Sequence, residues 1–260
     1  MIYHKTYEHS PEADWVVFIH GAGGSSSIWY RQIRTFQKDF NLLFVDLRGH
    51  GKSAQIIHDY IYKRYTFQDI SEDVIEVMDH LEIPKAHFVG ISLGTILIRT
   101  LAEKHPDRVH SMVLGGAITR LNLRSQVLIG LGNATKKLVP FMWLYKLLAF
   151  IVMPKKRHRK SRLLFIKDAR VIYKKEIQRW YNLLNDLNPL LRYFDEKKLP
   201  IPTLYLMGDE DYMFLGPVQK IVREHKAAIL SVIENSGHVC NVDQPEIFNR
   251  LSIRFIQNQR

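Results

Sequence analysis

Residues 86–105 read Ala86-His87-Phe88-Val89-Gly90-Ile91-Ser92-Leu93-Gly94-Thr95-Ile96-Leu97-Ile98-Arg99-Thr100-Leu101-Ala102-Glu103-Lys104-His105. The run up to Gly90 is short and mostly apolar, as a buried strand should be, and the run from Leu93 to Lys104 has helical spacing. Ser92 stands in the turn between them, with glycines two residues before and two after. A sharp strand-turn-helix connection lifts a serine hydroxyl out of the sheet, and the glycines keep side chains off the crowded backbone. The N–H of Leu93, at the helix start, then faces a developing oxyanion. The competing reading is a glycine-flanked serine that only caps a helix.

The same alternation extends in both directions. Short apolar runs predict strands at Trp15 to His20, Leu42 to Asp46, Ala86 to Gly90, Val109 to Leu114, Thr203 to Met207 and Ile229 to Ile233, with an extra edge strand within 2–8. Helical patterns lie near 28–37, 67–82, 92–105, 216–226 and 245–257. Strands alternating with crossover helices predict an α/β fold with a mostly parallel sheet flanked by helices. The alternation breaks over 119–196, which reads as helical, aromatic-rich and basic, and is expected to be an inserted helical cap. Pro200 and Pro202 mark the return to the sheet. The expected division is a core of 1–118 and 197–260 with a cap of 119–196.

Serine is a weak nucleophile at neutral pH and needs a base, which in turn needs an orienting partner. His238 follows the last strand within Asn235-Ser236-Gly237-His238, and loops at the carboxyl ends of parallel strands are where such sheets place their sites. The acid is expected in Gly208-Asp209-Glu210-Asp211, after the preceding strand. The spacing from Gly208 favours Asp211, with Asp209 as the competing assignment.

Two further turns complete a resemblance. His20-Gly21-Ala22-Gly23-Gly24 resembles the HGxGG turn, and Asp46-Leu47-Arg48-Gly49-His50-Gly51-Lys52-Ser53 the DxRGHGxS turn, of the α/β-hydrolase superfamily in its capped branch. With the serine turn and the order Ser92, Asp211, His238, the resemblance covers everything except the cap. It implies a Ser92, His238 and Asp211 triad, an oxyanion hole from the N–H groups of Ala22 and Leu93, and structural rather than catalytic roles for His20 and His50. It implies no cofactor. Gly51-Lys52-Ser53 lacks the first glycine of a phosphate-binding loop, and the histidines show no metal-ligand spacing.

The chain carries 37 Lys and Arg against 26 Asp and Glu, a formal charge of +11, and much of the excess falls within 155–175. The run Lys155-Lys156-Arg157-His158-Arg159-Lys160 is expected to be a solvated loop between cap helices, next to the apolar stretch 138–154. That adjacency also suits transient contact with an anionic membrane surface, whereas nucleic-acid binding lacks a recognisable fold around it. Phe141, Trp143, Leu144, Leu147, Phe150, Phe165, Trp180 and Tyr181 are candidates either for lining a hydrophobic pocket or for holding the cap down. A single cysteine, Cys240, and an N-terminus without a basic, apolar leader lead to an expected cytoplasmic location.

The function expected from these residues is carboxylesterase action of a serine hydrolase on small hydrophobic esters. Carbon-carbon bond hydrolysis of a dioxo acid and a low-turnover ligand-binding receptor are the alternatives.

Overall fold

The computed structural model describes residues 1–55, 64–121, 130, 139–170, 172 and 174–259. Seven strands form one sheet: β1 His4–Tyr7, β2 Trp15–Ile19, β3 Asn41–Val45, β4 Ala86–Ile91, β5 Val109–Gly115, β6 Thr203–Gly208 and β7 Ala228–Ile233. Their order across the sheet is β1-β3-β2-β4-β5-β6-β7. All neighbours pair in parallel except β1, which runs antiparallel to β3 at the edge.

Continuous burial along the central strands follows from cover on both faces. Alternate residues feed opposite layers: Val17 and Ile19 enter one apolar cluster with Phe88 and Met112, while Val16 and Phe18 enter the other with Phe44 and Val89. The first layer is closed by α2 (Phe67–His80) and α3 (Leu93–Lys104). The second is closed by α1 (Ile33–Phe36) and α10 (Pro245–Gln257). Thr66 caps α2 through a reciprocal pair of bonds with Asp69, satisfying N–H groups that a helix start leaves without carbonyl partners.

The single helix expected near 28–37 is instead a 3-10 turn, Ser26–Trp29, followed by the one-turn α1. The break lets the fully buried Gln32 amide donate to the Asn241 carbonyl and the Asn249 side chain, at 3.0 and 2.9 Å.

Between β5 and β6 the described residues form α4 (Phe141–Val152), α5 (Arg159–Ala169), α6 (Lys174–Leu183) and α7 (Leu187–Glu196). Residues 122–129, 131–138, 171 and 173 of the expected cap lie outside the described residues, as do the side chains of Phe141 and Tyr181. After β6 come α8 (Leu215–Glu224) and, beyond β7, the short α9 (Cys240–Asp243). No helix among the described residues is long and apolar enough to cross a membrane.

Candidate active site

Ser92 sits between β4 and α3 with φ 55 and ψ −123, a left-handed conformation that side chains rarely adopt. Its N–H donates to the Gly115 carbonyl at the end of the neighbouring strand β5 at 3.0 Å, which ties the turn to the sheet. The glycines are required by proximity. A Cβ on Gly94 would lie 2.4 Å from the Ile19 carbonyl oxygen, so only glycine lets α3 start this close to β2. The Leu93 N–H is the first of its helix and has no carbonyl within that helix to donate to. Gly21 lies against the serine, with Ser92 Cβ 3.1 Å from where its own Cβ would be, and Ala22 follows directly.

The loop carrying His238 is drawn over the ends of β5 and β6. A Cβ on Gly208 would fall 2.2 Å from the Ser236 carbonyl oxygen, so the β6 turn admits that loop only because it begins with glycine. His238 then lies between two partners, with Nε2 2.8 Å from Ser92 Oγ and Nδ1 2.8 Å from Asp211 Oδ2. Asp211 is fully buried, and its other oxygen accepts the Phe214 N–H at 3.3 Å. The ring of Phe214 lies 5.0 Å from that of His238. The bond to Asp211 selects the tautomer with the proton on Nδ1, leaving the Nε2 lone pair aimed at the serine hydroxyl.

The other acids of the turn face elsewhere. Asp209 is exposed and accepts the Ser236 N–H at 3.1 Å. Glu210 is buried and accepts from Lys155 Nζ at 2.7 Å and from His158 Nε2 at 2.8 Å. Thus the structure brings Ser92, His238 and Asp211 together and turns Asp209 away from the imidazole.

The model of the family described as alpha/beta hydrolase fold matches residues 14–245. The chain belongs to that family. A curated relative is 3-oxoadipate enol-lactonase 2 of Acinetobacter baylyi, 26% identical over 90% of this chain and 85% of its own. Another is the 2-hydroxy-6-oxononadienedioate/2-hydroxy-6-oxononatrienedioate hydrolase of Comamonas testosteroni, 26% identical over 95% of this chain and 89% of its own. The crystal structure of a hydrolase from Pseudomonas aeruginosa superposes with a TM-score of 0.81 at 22% identity, covering 97% of this chain and 93% of that one, a likeness of fold.

In this α/β-hydrolase the turns after β2 and β3 are locked together by histidines. Leu47 N–H donates to His20 Nε2 at 3.0 Å and Gly23 N–H to His50 Nε2 at 2.9 Å. The Nδ1 atoms bond to the carbonyls of Gly21 and Arg48, at 2.8 and 3.1 Å. A backbone N–H can be accepted only by an unprotonated nitrogen, so both rings are neutral. Burial lowers the His20 pKa, and burial together with the nearby His20 lowers that of His50 to about 3. Asp46 accepts the N–H groups of Ser26 and Lys52 at 2.7 and 2.8 Å, and Arg48 forms a two-bond pair with the buried Asp73 at 2.6 Å. These residues therefore hold the turn beside Ser92 rather than take protons.

The inserted helices reach the same end of the sheet. Tyr145 on α4 donates to the Ala22 carbonyl at 2.9 Å. The basic run expected as a solvated loop is instead a docked 3-10 turn, Lys156–His158, leading into α5. His158 is fully buried against Gly237 and bonded to Glu210, and that acidic side chain is why the run is ordered. Burial pushes the Glu210 carboxyl up, but the bonds from Lys155 and His158 and the Arg157 charge bring it below its usual range. Asp243 accepts the Gly237 N–H at 2.8 Å and pairs with the Ser161 hydroxyl on α5. Sequence reading did not single out Tyr145, His158, Ser161, Glu210 or Asp243 for the site; Glu210 alone carried a signal, as the middle acid of its turn. Of the aromatic candidates, Trp180 is buried and donates to the Arg48 carbonyl at 3.1 Å, and Phe165 stacks on Tyr145 at 4.4 Å. Trp143, Leu147 and Phe150 face solvent. Among the described residues no group of three or more His, Cys, Asp or Glu could hold a metal ion.

Proposed function

We propose that the protein is a serine hydrolase of small carboxylic esters with apolar acyl groups. The observation that carries this reading is the His238 imidazole spanning Ser92 Oγ and Asp211 Oδ2, 2.8 Å from each. In this mechanism His238 Nε2 takes the hydroxyl proton as Ser92 Oγ attacks the ester carbonyl, and Asp211 steadies the imidazolium. The N–H groups of Ala22 and Leu93 receive the oxyanion. Collapse of the tetrahedral intermediate expels the alcohol, which takes the proton from His238 and leaves an acyl-serine. Water, deprotonated by the same imidazole, then releases the acid and restores the serine. Residues 119–196 act as the cap over this site. A lactone is an internal ester, so the activity named for the Acinetobacter relative falls within the proposed class.

A second reading, carbon-carbon bond hydrolysis of a dioxo acid, draws on a specific feature beside Thr95, one turn of α3 beyond Ser92. A cavity of about 30 Å³ is bordered there by Thr95, Ile118, Thr119, Phe194 and Tyr205 together with the buried Arg99. Arg99 pairs through Nη1 with Glu103 at 3.9 Å and donates through Nη2 to the Lys197 carbonyl, so a substrate carboxylate would have to compete with Glu103 for this cation.

The test is turnover of p-nitrophenyl esters of graded acyl length by wild type, Ser92→Ala, Asp211→Asn and Asp209→Asn. Loss on the order of 10⁶-fold in kcat is expected for Ser92→Ala and about 10⁴-fold for Asp211→Asn, with only a few-fold change for Asp209→Asn. Equal activity of wild type and Ser92→Ala would refute the nucleophile. A single turnover that leaves the ligand attached would favour the receptor alternative over the esterase.

A further inference from the structure

Helix α4 is apolar around nearly its whole circumference, yet it buries only part of it. Tyr145 and Ala149 face the core, while Trp143, Leu147 and Phe150, spaced i, i+4 and i+7, form one stripe that is 70, 51 and 54% exposed. Leu163 on the following helix α5 is 55% exposed. An uncovered stripe of one aromatic pair and two leucines is the mark of a surface that meets something apolar.

What surrounds the stripe identifies that partner. The described residues 139–170 contain nine Lys or Arg and a single acid, Asp168, which already accepts the hydroxyls of Ser25 and Ser27. Lys155 and Arg157 are turned inward to Glu210. Lys146, Lys156, Arg159, Lys160, Lys167 and Arg170 are exposed, and none has a carboxylate within ion-pair reach among the described residues. A second copy of this chain would bring the same cations face to face, which opposes a symmetric dimer through this surface. Apolar side chains rimmed by uncompensated cations match the interface of an anionic bilayer, where the first enter the acyl boundary and the second meet headgroup phosphates.

We propose that α4 and the start of α5 form a docking surface for anionic lipid bilayers. Tyr145, on the opposite side of α4, bonds to the Ala22 carbonyl beside Ser92. Docking therefore holds the site close to the bilayer, and a lipid-dissolved ester is the substrate source this geometry serves, a consequence that rests on the esterase reading.

The experiment is flotation of the full chain with phosphatidylcholine vesicles and with vesicles containing about a third phosphatidylglycerol. Wild type should float with the anionic vesicles only, and added salt should weaken this. Lys156→Ser/Arg159→Ser/Lys160→Ser should lower partitioning about a hundredfold, from three lost cation-headgroup contacts. Trp143→Ser/Leu147→Ser should also fall, while both variants keep wild-type turnover of a water-soluble ester, which shows them folded. Ser92→Ala should float like wild type, so binding is read independently of catalysis. Absence of flotation on anionic vesicles, equal flotation on neutral ones, or a dimer in solution that Trp143→Ser/Leu147→Ser dissociates would overturn the proposal.

Discussion

Acidification should loosen the turn beside Ser92 through His50, and the size of the effect follows from its burial. The imidazole accepts the Gly23 N–H at Nε2, so a proton there would cost both the hydrogen bond and the desolvation of a charge. In the unfolded chain the ring protonates as pH falls through its ordinary value of 6.5, whereas in the folded chain it resists until about 3. Between those values the unfolded state binds a proton that the native state refuses, so stability present above the unfolded value drains away as pH falls. At about pH 5 the difference amounts to about 2 kcal/mol, against a few hundredths at about pH 7.5. Out of a total stability of roughly 5–15 kcal/mol this is a large share. His50→Gln keeps an acceptor for Gly23 and removes the titration. His20, whose pKa is also lowered, titrates in both proteins and largely cancels. Urea unfolding followed by tryptophan fluorescence should therefore show the advantage of wild type over His50→Gln shrinking by about 2 kcal/mol between about pH 7.5 and about pH 5. A gap that is the same at both pH values would refute the assignment of a buried, neutral His50.

Three further outcomes are expected. Gly94→Ala places a Cβ 2.4 Å from the Ile19 carbonyl oxygen and should cost about 1–3 kcal/mol or more while displacing Ser92, seen as a lower Tm and a lower kcat; an unchanged Tm would contradict the close packing of α3 on β2. Glu210→Gln leaves Lys155 and His158 without their anion and should lower stability by about 1–3 kcal/mol and kcat more than KM, whereas Lys155→Ala, at the exposed end of the same cluster, should cost less. Trp180→Phe removes the donor to the Arg48 carbonyl and should cost about 1 kcal/mol in chemical denaturation, with equal stability counting against that bond.

The parts of the molecule legible in the sequence are those fixed by local rules. Each central strand is an apolar run because both faces are covered; the turns around Ser92 and Gly208 carry glycine because another backbone would lie under 3 Å from a Cβ there, and Gly237 because the His158 ring packs against it. Asp209 and Asp211 share one turn and differ only in where its backbone aims them, so spacing could favour one but only geometry separates them. The 28–37 segment was misread as one helix because the inward turn of Gln32 depends on Asn241 and Asn249, more than 200 residues away. The basic run was misread for a related reason. Six charged or imidazole side chains in a row look solvated, and nothing local reveals that one buried carboxylate, Glu210, will take up three of them.

Glu210 is one of three points at which the helices between β5 and β6 are tied to the loops around Ser92 and His238. Through Tyr145 they hold the Ala22 carbonyl, through His158 the residue next to Asp211, and through Ser161 the Asp243 side chain that accepts the Gly237 N–H beside His238. Two of these loops carry Asp211 and His238 and so set the distance between them, and the third packs Gly21 against Ser92. Lifting α4 and α5 together would break the bonds to Ala22 and Asp243 and both bonds to Glu210, a cost on the order of a few kcal/mol before any apolar surface is exposed. A population so opened would be about one molecule in a hundred or fewer, and a substrate admitted only by that route would have its apparent affinity reduced by the same fraction. The bonds that hold these loops are therefore also the bonds that hold α4 and α5 against them, so displacing the helices would disturb the setting of Asp211 and His238 as well.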